Sequence, residues 1–326
     1  MKDLDPKQRP ELEHSEFIQK MPKACHDELA AVELFEEIRW GDTPCCVHCG
    51  SVDVYKMMDS GDGKRSKRFL WRCRTCRMQY TVRIGAVYEE SRLPIRHWAY
   101  AFWRASTSKK GAAALEIMRQ CQISYKSALF LMHRIRFAMA KTPSEPGKLK
   151  GIVEVDETYC GGKPRPFDGK EHFCGKGTSK TPVMGLVERE GKIHRRVIAN
   201  VTGKTLKNAI REMVHPSATI MTDEASMYAG IGKEFAGGHE TVCHSAREYA
   251  RGEAHTNTIE SSFAILKRGL IGIHHAVSKK HLHRYLAHYD FLWNGRKLND
   301  GQRTIAAIRS AEGKRLLYRP LTGKGN

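Results

Sequence analysis

Two runs of the 326-residue chain place an aspartate at the end of an apolar alternation: "GIVEVDETY" carries Asp156, and "ATIMTDEASMY" carries Asp223 where a β-run gives way to a helix. A third run, "EAHTNTIESSFAILKRG", has helix-like apolar spacing (Ile259, Phe263, Ile265, Leu266) and also holds Asn257, Glu260 and Lys267. Glu260 and Lys267 are seven residues apart, two turns of an α-helix, so they project from one face. An aspartate at a strand end ordinarily caps the next element, and a polar stripe opposite a core is ordinary for an amphipathic helix. Taken together the residues suggest more. Carboxylates gathered in one site repel one another unless cations bridge them. Hard oxygen ligands with room for water and phosphate suit Mg²⁺ or Mn²⁺. Two such ions would activate an attacking oxygen and stabilise a leaving one in an in-line displacement at phosphorus. The helix would then supply the third ligand and a phosphate-facing lysine. That ligand is open between Asn257 and Glu260; charge favours Glu260, and Asn257 could bind through its carbonyl oxygen or cap the helix.

Cysteines form the second constellation. "CCVHCGS" gives Cys46 and Cys49, "WRCRTCRMQY" gives Cys73 and Cys76, and 23 residues separate the pairs. Two C-x2-C knuckles present four thiolates, the ligand set of a structural zinc ribbon, with Cys45 a poorer fit to the spacing than Cys46. A domain this small lacks the apolar mass to fold alone, so zinc would hold it together. Its hairpin carries "GKRSKRFLWR", in which Lys64, Arg65, Lys67 and Arg68 are candidate DNA contacts. Cys160, Cys174, Cys243 and His244 lack pairwise spacing and read as packing residues, and "FCGKGTSK" lacks the spacing of a nucleotide-binding loop.

Between these lies "KKGAAALEIMRQCQISYKSALFLMHRIRFAM", which fits a helix, a tight turn near Gln120–Ile123 and a second helix capped by Ser124. The second helix is free of acids. That suits a recognition helix reaching DNA through Tyr125, Lys126, Arg134 and Arg136, the alternative being a helical hairpin with a solvated basic face. The histidines at 274, 275, 281, 283 and 288 follow on a basic tract and are expected on a DNA-facing surface, as are Lys267 and Arg268.

The elements that must position these groups follow from the periodicities. Residues 1–40 form a helical segment, 41–85 the zinc ribbon, 86–145 a helical DNA-binding domain after which "TPSEPGK" is a linker, 150–300 a mixed α/β or α+β domain, and 301–326 a basic tail. Lys and Arg number 55 against 36 acids, a formal charge of +19. Such an excess points to a polyanionic partner, nucleic acid before an anionic membrane surface. No apolar run has the length of a membrane span and "MKDLDPKQRPELEH" is no signal peptide, so a cytoplasmic, nucleoid-associated protein is expected.

"VDETYCGGK", "GTSKTPVMGLVER", "HTNTIESSFAILKRGLIG" and "SKKHLHRY" resemble motifs of the bacterial insertion-sequence transposases with an Asp-Asp-Asn/Glu-Lys active site. "RWGDTPCCVHCGS" and "CRTCRMQYTVRIGAVYEESRLPIRHW" resemble their N-terminal zinc ribbon. The likeness spans roughly residues 30–300. It implies an RNase H-like catalytic domain, cutting and joining at terminal inverted repeats, and assembly as a homo-oligomer on DNA ends. Residue by residue it makes Asp156 and Asp223 metal ligands and Lys267 a contact to the reacting end, with Asn or Glu allowed as the third ligand. Two other functions fit the composition: a zinc-ribbon, helix-turn-helix regulator whose α/β domain is inactive, and an RNase H-like nuclease that cuts without joining.

Overall fold

The computed structural model describes residues 12–61, 63–140, 147–162, 180–242 and 255–317. The chain divides into two compact units, residues 1–139 with 298–326, and residues 140–297.

The first unit opens with two helices where the sequence suggested one: α1 (His14–His26) and α2 (Glu28–Trp40). Asp27 separates them by capping α2, accepting from the Ala30 N–H at 2.7 Å. Val32, Leu34, Phe35 and Ile38 are buried as their spacing implies, whereas Leu29 stays exposed. The ribbon follows as three short antiparallel strands in the order β1 (Val54–Lys56), β2 (Trp71–Cys73), β3 (Gln79–Tyr80). Then come α3 (Ile95–Thr107), α4 (Ala114–Cys121) and α5 (Tyr125–Met139). Gln122 takes the left-handed conformation that ends α4, and the Ser124 hydroxyl accepts from the Ser127 N–H at 3.2 Å to start α5.

The second unit is built on a five-stranded sheet. β4 (Ile152–Cys160), β5 (Thr181–Glu188) and β6 (Ile193–Val197) form an antiparallel meander. After α6 (Gly203–Met213), β7 (Thr219–Asp223) lies parallel to β4, and β8 (His239–Val242) lies parallel to β7. The spatial order β6-β5-β4-β7-β8 is the RNase H-like arrangement that the resemblance implies. Two layers cover the sheet. Val153, Val155, Met184 and Leu186 pack with Leu206 and Ile210 of α6 on one face. On the other, Val183, Val187 and Cys160 pack with α7 (Asn257–Gly269) and α8 (Leu282–Asn294). α8 also closes the exposed edge of β6. The Asn294 side chain accepts from the Ile193 N–H and donates to its carbonyl, and Asp290 takes the Arg195 N–H and guanidinium.

Residues 301–326 are not simply a basic tail. α9 (Asp300–Arg309) starts from an Asn299/Gln302 capping box and packs back among the N-terminal helices, burying Ile305 and Ile308 and pairing the Thr304 and Ser106 hydroxyls at 2.7 Å. No helix among the described residues is long and apolar enough to cross a membrane.

Candidate active site and zinc ribbon

Alternation along β4 sends Glu154, Asp156 and Thr158 to the face covered by α7, and Val153, Val155 and Glu157 to the face covered by α6. Asp156 stands opposite Gly185 of β5, where a Cβ would meet Ile259 Cδ1 and Phe263 Cζ at 2.7 Å. The missing side chain lets α7 lie directly on the sheet beside Asp156. The parallel ladder joins Glu154 to Met221, and the same offset carried two residues on brings Asp156 level with Asp223 at the end of β7. The Asp223 carboxylate accepts from the Ala225 N–H at 3.1 Å, which turns the chain into a short 3₁₀ segment, Ser226–Tyr228.

Three elements therefore deliver acids to one end of the sheet. Burial pushes the Asp156 carboxyl up to about 7; the Glu157 N–H opposes this, the charges of Asp223 and Glu260 add to it, and Lys267 relieves it. Among the described residues these acids do not all come within 4.8 Å of one another; only the four cysteines form such a group. Two ligands sharing one octahedral Mg²⁺ lie at most about 4.2 Å apart. The all-oxygen donor set and its mutual repulsion fit divalent cations. Glu260 accepts from the Thr256 hydroxyl at 2.8 Å and is exposed, as are Asn257, Lys267 and Arg268.

Two acids that sequence reasoning passed over help to build this site. Glu154 is fully buried. It accepts from the Thr258 and Ile259 N–H groups at 2.9 and 3.0 Å, from the Thr258 hydroxyl at 2.9 Å and from Arg189 at 3.0 Å. It thus supplies the start of α7 with a cap that Thr256 does not. Glu157, on the opposite face, takes a short hydrogen bond from the Tyr228 hydroxyl, and burial pushes its carboxyl up to about 7. That bond ties β4 to the turn behind Asp223. The sequence signal for Glu154 was an acid between two apolar strand residues, Val153 and Val155; Glu157, between Asp156 and Thr158, carried none.

The ribbon cysteines converge as their spacing implies. Cys46 Sγ lies 3.6 Å from Cys76 Sγ, and Cys49 Sγ 3.7 Å from Cys73 Sγ. Tetrahedral zinc with Zn–S near 2.3 Å sets its sulfurs about 3.8 Å apart, so the cluster has the size of a zinc site. The two knuckles repeat one geometry. Gly50 and Arg77 both have positive φ just beyond their second cysteine, and backbone N–H groups of His48 and Cys76 point at Cys46 and Cys73 Sγ. The Cys76 N–H holds the Cys73 thiol down to about 6. Cys45 lies outside the cluster.

The expected DNA contacts divide. Lys64, Lys67 and Arg68 are exposed on the ribbon loop, and Tyr125 and Lys126 at the start of α5. Arg65 instead turns inward to a buried ion pair with Glu36, whose carboxylate also accepts from the Trp71 indole N–H at 2.7 Å. Arg134 and Arg136 are likewise buried, because Leu131–Arg136 of α5 form part of the helical core. Arg134 lies over the Trp98 ring and donates to the Glu89 carbonyl at 2.6 Å. Only the first turn of α5 keeps the exposure that a recognition helix needs. Of the histidines, His288 is buried, His274 and His281 are half-buried, with His274 edge-on against Tyr285, and His275 and His283 are exposed as the basic tract suggested. Cys174, Cys243 and His244 lie outside the described residues, as does most of the expected linker.

Comparisons with known proteins match both halves. Residues 148–294 match the ISXO2-like transposase domain and residues 26–79 the transposase zinc-ribbon domain. A curated relative is an uncharacterized protein in transposable element ISH50 of Halobacterium salinarum, 29% identical over 273 residues, covering 79% of this chain and 88% of the relative. A solved structure of a simian T-cell lymphotropic virus intasome with PP2A regulatory subunit B56 gamma matches 58% of this chain and 66% of its own. Its identity is 16% and its TM-score 0.29, a likeness too distant to bear on the site.

Proposed function

The chain belongs to the insertion-sequence transposases with an Asp-Asp-Asn/Glu-type catalytic domain behind a zinc ribbon, and from that premise we propose that it binds the terminal inverted repeats of its element and catalyses strand cleavage and strand transfer. The observation that carries the reading is the delivery of Asp156, Asp223 and Glu260 by β4, β7 and α7 to one end of the sheet, close enough for the latter two to act on the first.

Asp156, Asp223 and Glu260 would hold two Mg²⁺ or Mn²⁺ ions, with the Asn257 carbonyl as the alternative third ligand. When bound, such ions activate the attacking oxygen and stabilise the leaving one. Lys267, two turns along α7 from Glu260, grips the phosphate of the reacting end. Glu154 fixes the start of α7 and thereby the position of Glu260. In the first step water attacks the phosphodiester and the 3′-oxygen leaves as a hydroxyl. In the second, that hydroxyl attacks a target phosphodiester, so one P–O bond forms as another breaks and no covalent enzyme intermediate arises. Zinc on Cys46, Cys49, Cys73 and Cys76 is structural. Exposed Lys64, Lys67, Arg68, Tyr125, Lys126 and Arg268 meet DNA, copies of the chain assemble on paired ends, and the protein works in the cytoplasm on the nucleoid.

The test uses purified full-length protein and labelled duplexes carrying the ends that flank its gene. Nicks bearing 3′-hydroxyls and joined products in Mg²⁺, both lost in Asp156→Ala and Asp223→Ala while end binding persists, are expected. Joining that survives either change would overturn the assignment. Nicking without joining would establish a nuclease.

A further inference from the structure

A cavity of about 330 Å³ opens where β4 ends and α7 gives up regular helix. Cys160 and Lys180 border it from the sheet; Leu270, Val277, Lys279 and Leu282 border it from the chain beyond α7. That chain is irregular. A π-helical turn, Leu270–His274, follows α7 directly, and His275 has φ 56°, a backbone conformation that a side chain of this size rarely adopts. Backbone strain of this kind persists where the surroundings over-determine it, and it gathers at binding sites. Gly269 permits the turn: a Cβ there would fall 1.7 Å from the Tyr289 hydroxyl.

Position and chemistry both relate the cavity to the acids. Cys160 lies four residues beyond Asp156 on the same face of β4, about 13 Å along the strand. Lys267 is felt by both, easing the charge on Asp156 and on Cys160. Among the described residues no acid lines the cavity. Its floor is apolar, its rim carries Lys180 and Lys279, and Ile271 stands at its edge 68% exposed. A bare phosphate would use the lysines and waste the apolar floor; a metal ion would find no carboxylate among the described lining residues. A nucleobase with its own phosphates uses both, since extruded bases are held in apolar pockets while cations hold the backbone. An exposed aliphatic side chain beside such a pocket is the kind that wedges into a base step and keeps it unstacked.

We propose that this cavity receives one unstacked nucleobase of the DNA strand that runs from the reacting phosphate, with Lys180 and Lys279 on its flanking phosphates and Ile271 filling the gap left in the stack. This rests on the transposase reading. At one phosphate per about 3.4 Å of duplex strand, 13 Å places that base within about four nucleotides of the cleaved bond.

The experiment substitutes 2-aminopurine, in turn, at each of the six positions on either side of the cleaved bond in end duplexes. Fluorescence is read with full-length protein in EDTA, and binding and Mg²⁺-dependent cleavage are measured on the same duplexes. One position within about four nucleotides of the bond should brighten several-fold on binding. Ala276→Phe, which fills the cavity, should abolish the rise while end affinity stays within about threefold, a difference of ~0.65 kcal/mol. Lys279→Glu, a change at an exposed rim position, should diminish it without any demand on the core. Binding and cleavage with no brightened position would overturn the inference alone, as would a rise that Ala276→Phe and Lys279→Glu both leave intact. Absence of both binding and cleavage would overturn the transposase reading and this inference with it.

Discussion

At the scale of single residues, Asp156 carries the most informative perturbation. Its carboxyl is raised from 3.8 to about 7 in the folded chain. A raised acid makes its stabilising contribution below the unfolded value and loses it as pH rises through the folded one. In metal-free protein, therefore, stability attributable to this group declines from about pH 4 to pH 7 and stays low above. Asp156→Asn should raise Tm in EDTA at pH 8 by roughly 2–4 °C, the shift that about 1 kcal/mol gives in a domain of this size, and the gain should vanish below pH 4. An equal gain at both pH values would show that the asparagine acts by packing rather than by charge. The third ligand is decided by a second pair of changes: Glu260→Gln should abolish end cleavage, and Asn257→Ala should leave activity that Mn²⁺ partly restores. A dead Asn257→Ala beside an active Glu260→Gln would make the amide the ligand. Asp223 was legible because a β-rich run ends at it; Asp156 was legible as an acid closing an apolar run, although β4 itself continues four residues beyond it. Glu154 and Glu157 were not, because nothing in "VEVDET" distinguishes an acid that caps a helix a hundred residues away from one on a solvated strand.

That last difficulty recurs at the scale of elements. The N-cap residues of α3 and α7, Pro94 and Thr256, make no side-chain cap bond, and both helices are capped from elsewhere. Glu28 of α2 accepts from the Ile95 and Arg96 N–H groups at 2.7 and 3.0 Å, as Glu154 does for α7. Capping boxes and knuckles are local and can be read from spacing; a cap delivered by tertiary contact cannot. The same limit hid β8, a four-residue edge strand with no apolar run, and α9, whose short stripe gains its meaning only against α3. Glu154→Gln should leave the fold and DNA binding intact, speed amide exchange at Thr258 and Ile259, and cut cleavage at least tenfold, about 1.4 kcal/mol of transition-state positioning. Unchanged exchange at those two amides would remove its role as a cap. In the ribbon, Cys73→Ser should release the metal and weaken DNA binding while the catalytic unit keeps its thermal transition. Metal analysis that finds no stoichiometric zinc in the parent protein would defeat that expectation at the outset.

Across the whole molecule the +19 charge promises a nucleic-acid partner, but not every basic residue serves that end. Arg65, Arg134 and Arg136 sit in a basic hairpin and an acid-free helix, which made them candidates for phosphate contact. Each is instead buried, Arg65 against Glu36 and Arg134 over Trp98, so its charge organises the first unit rather than facing solvent. Lys64, Lys67 and Arg68, interleaved with Arg65 on the same loop, remain exposed. Sequence pattern could not separate the two groups, since hairpin register decides which side chains turn inward. Salt dependence can. The slope of log K against log salt changes by about 0.9 for each phosphate that a cation ceases to neutralise. Lys67→Ala and Arg68→Ala together should therefore flatten the slope by roughly 1.8 while leaving Tm within a degree or so, as exposed substitutions do. Arg134→Met should do the reverse, lowering Tm by several degrees because the Glu89 carbonyl and the Trp98 ring are left without their cation, with the slope unchanged among molecules that remain folded. A flattened slope in Arg134→Met at constant Tm would return that arginine to the DNA interface and require α5 to expose its C-terminal half when it binds.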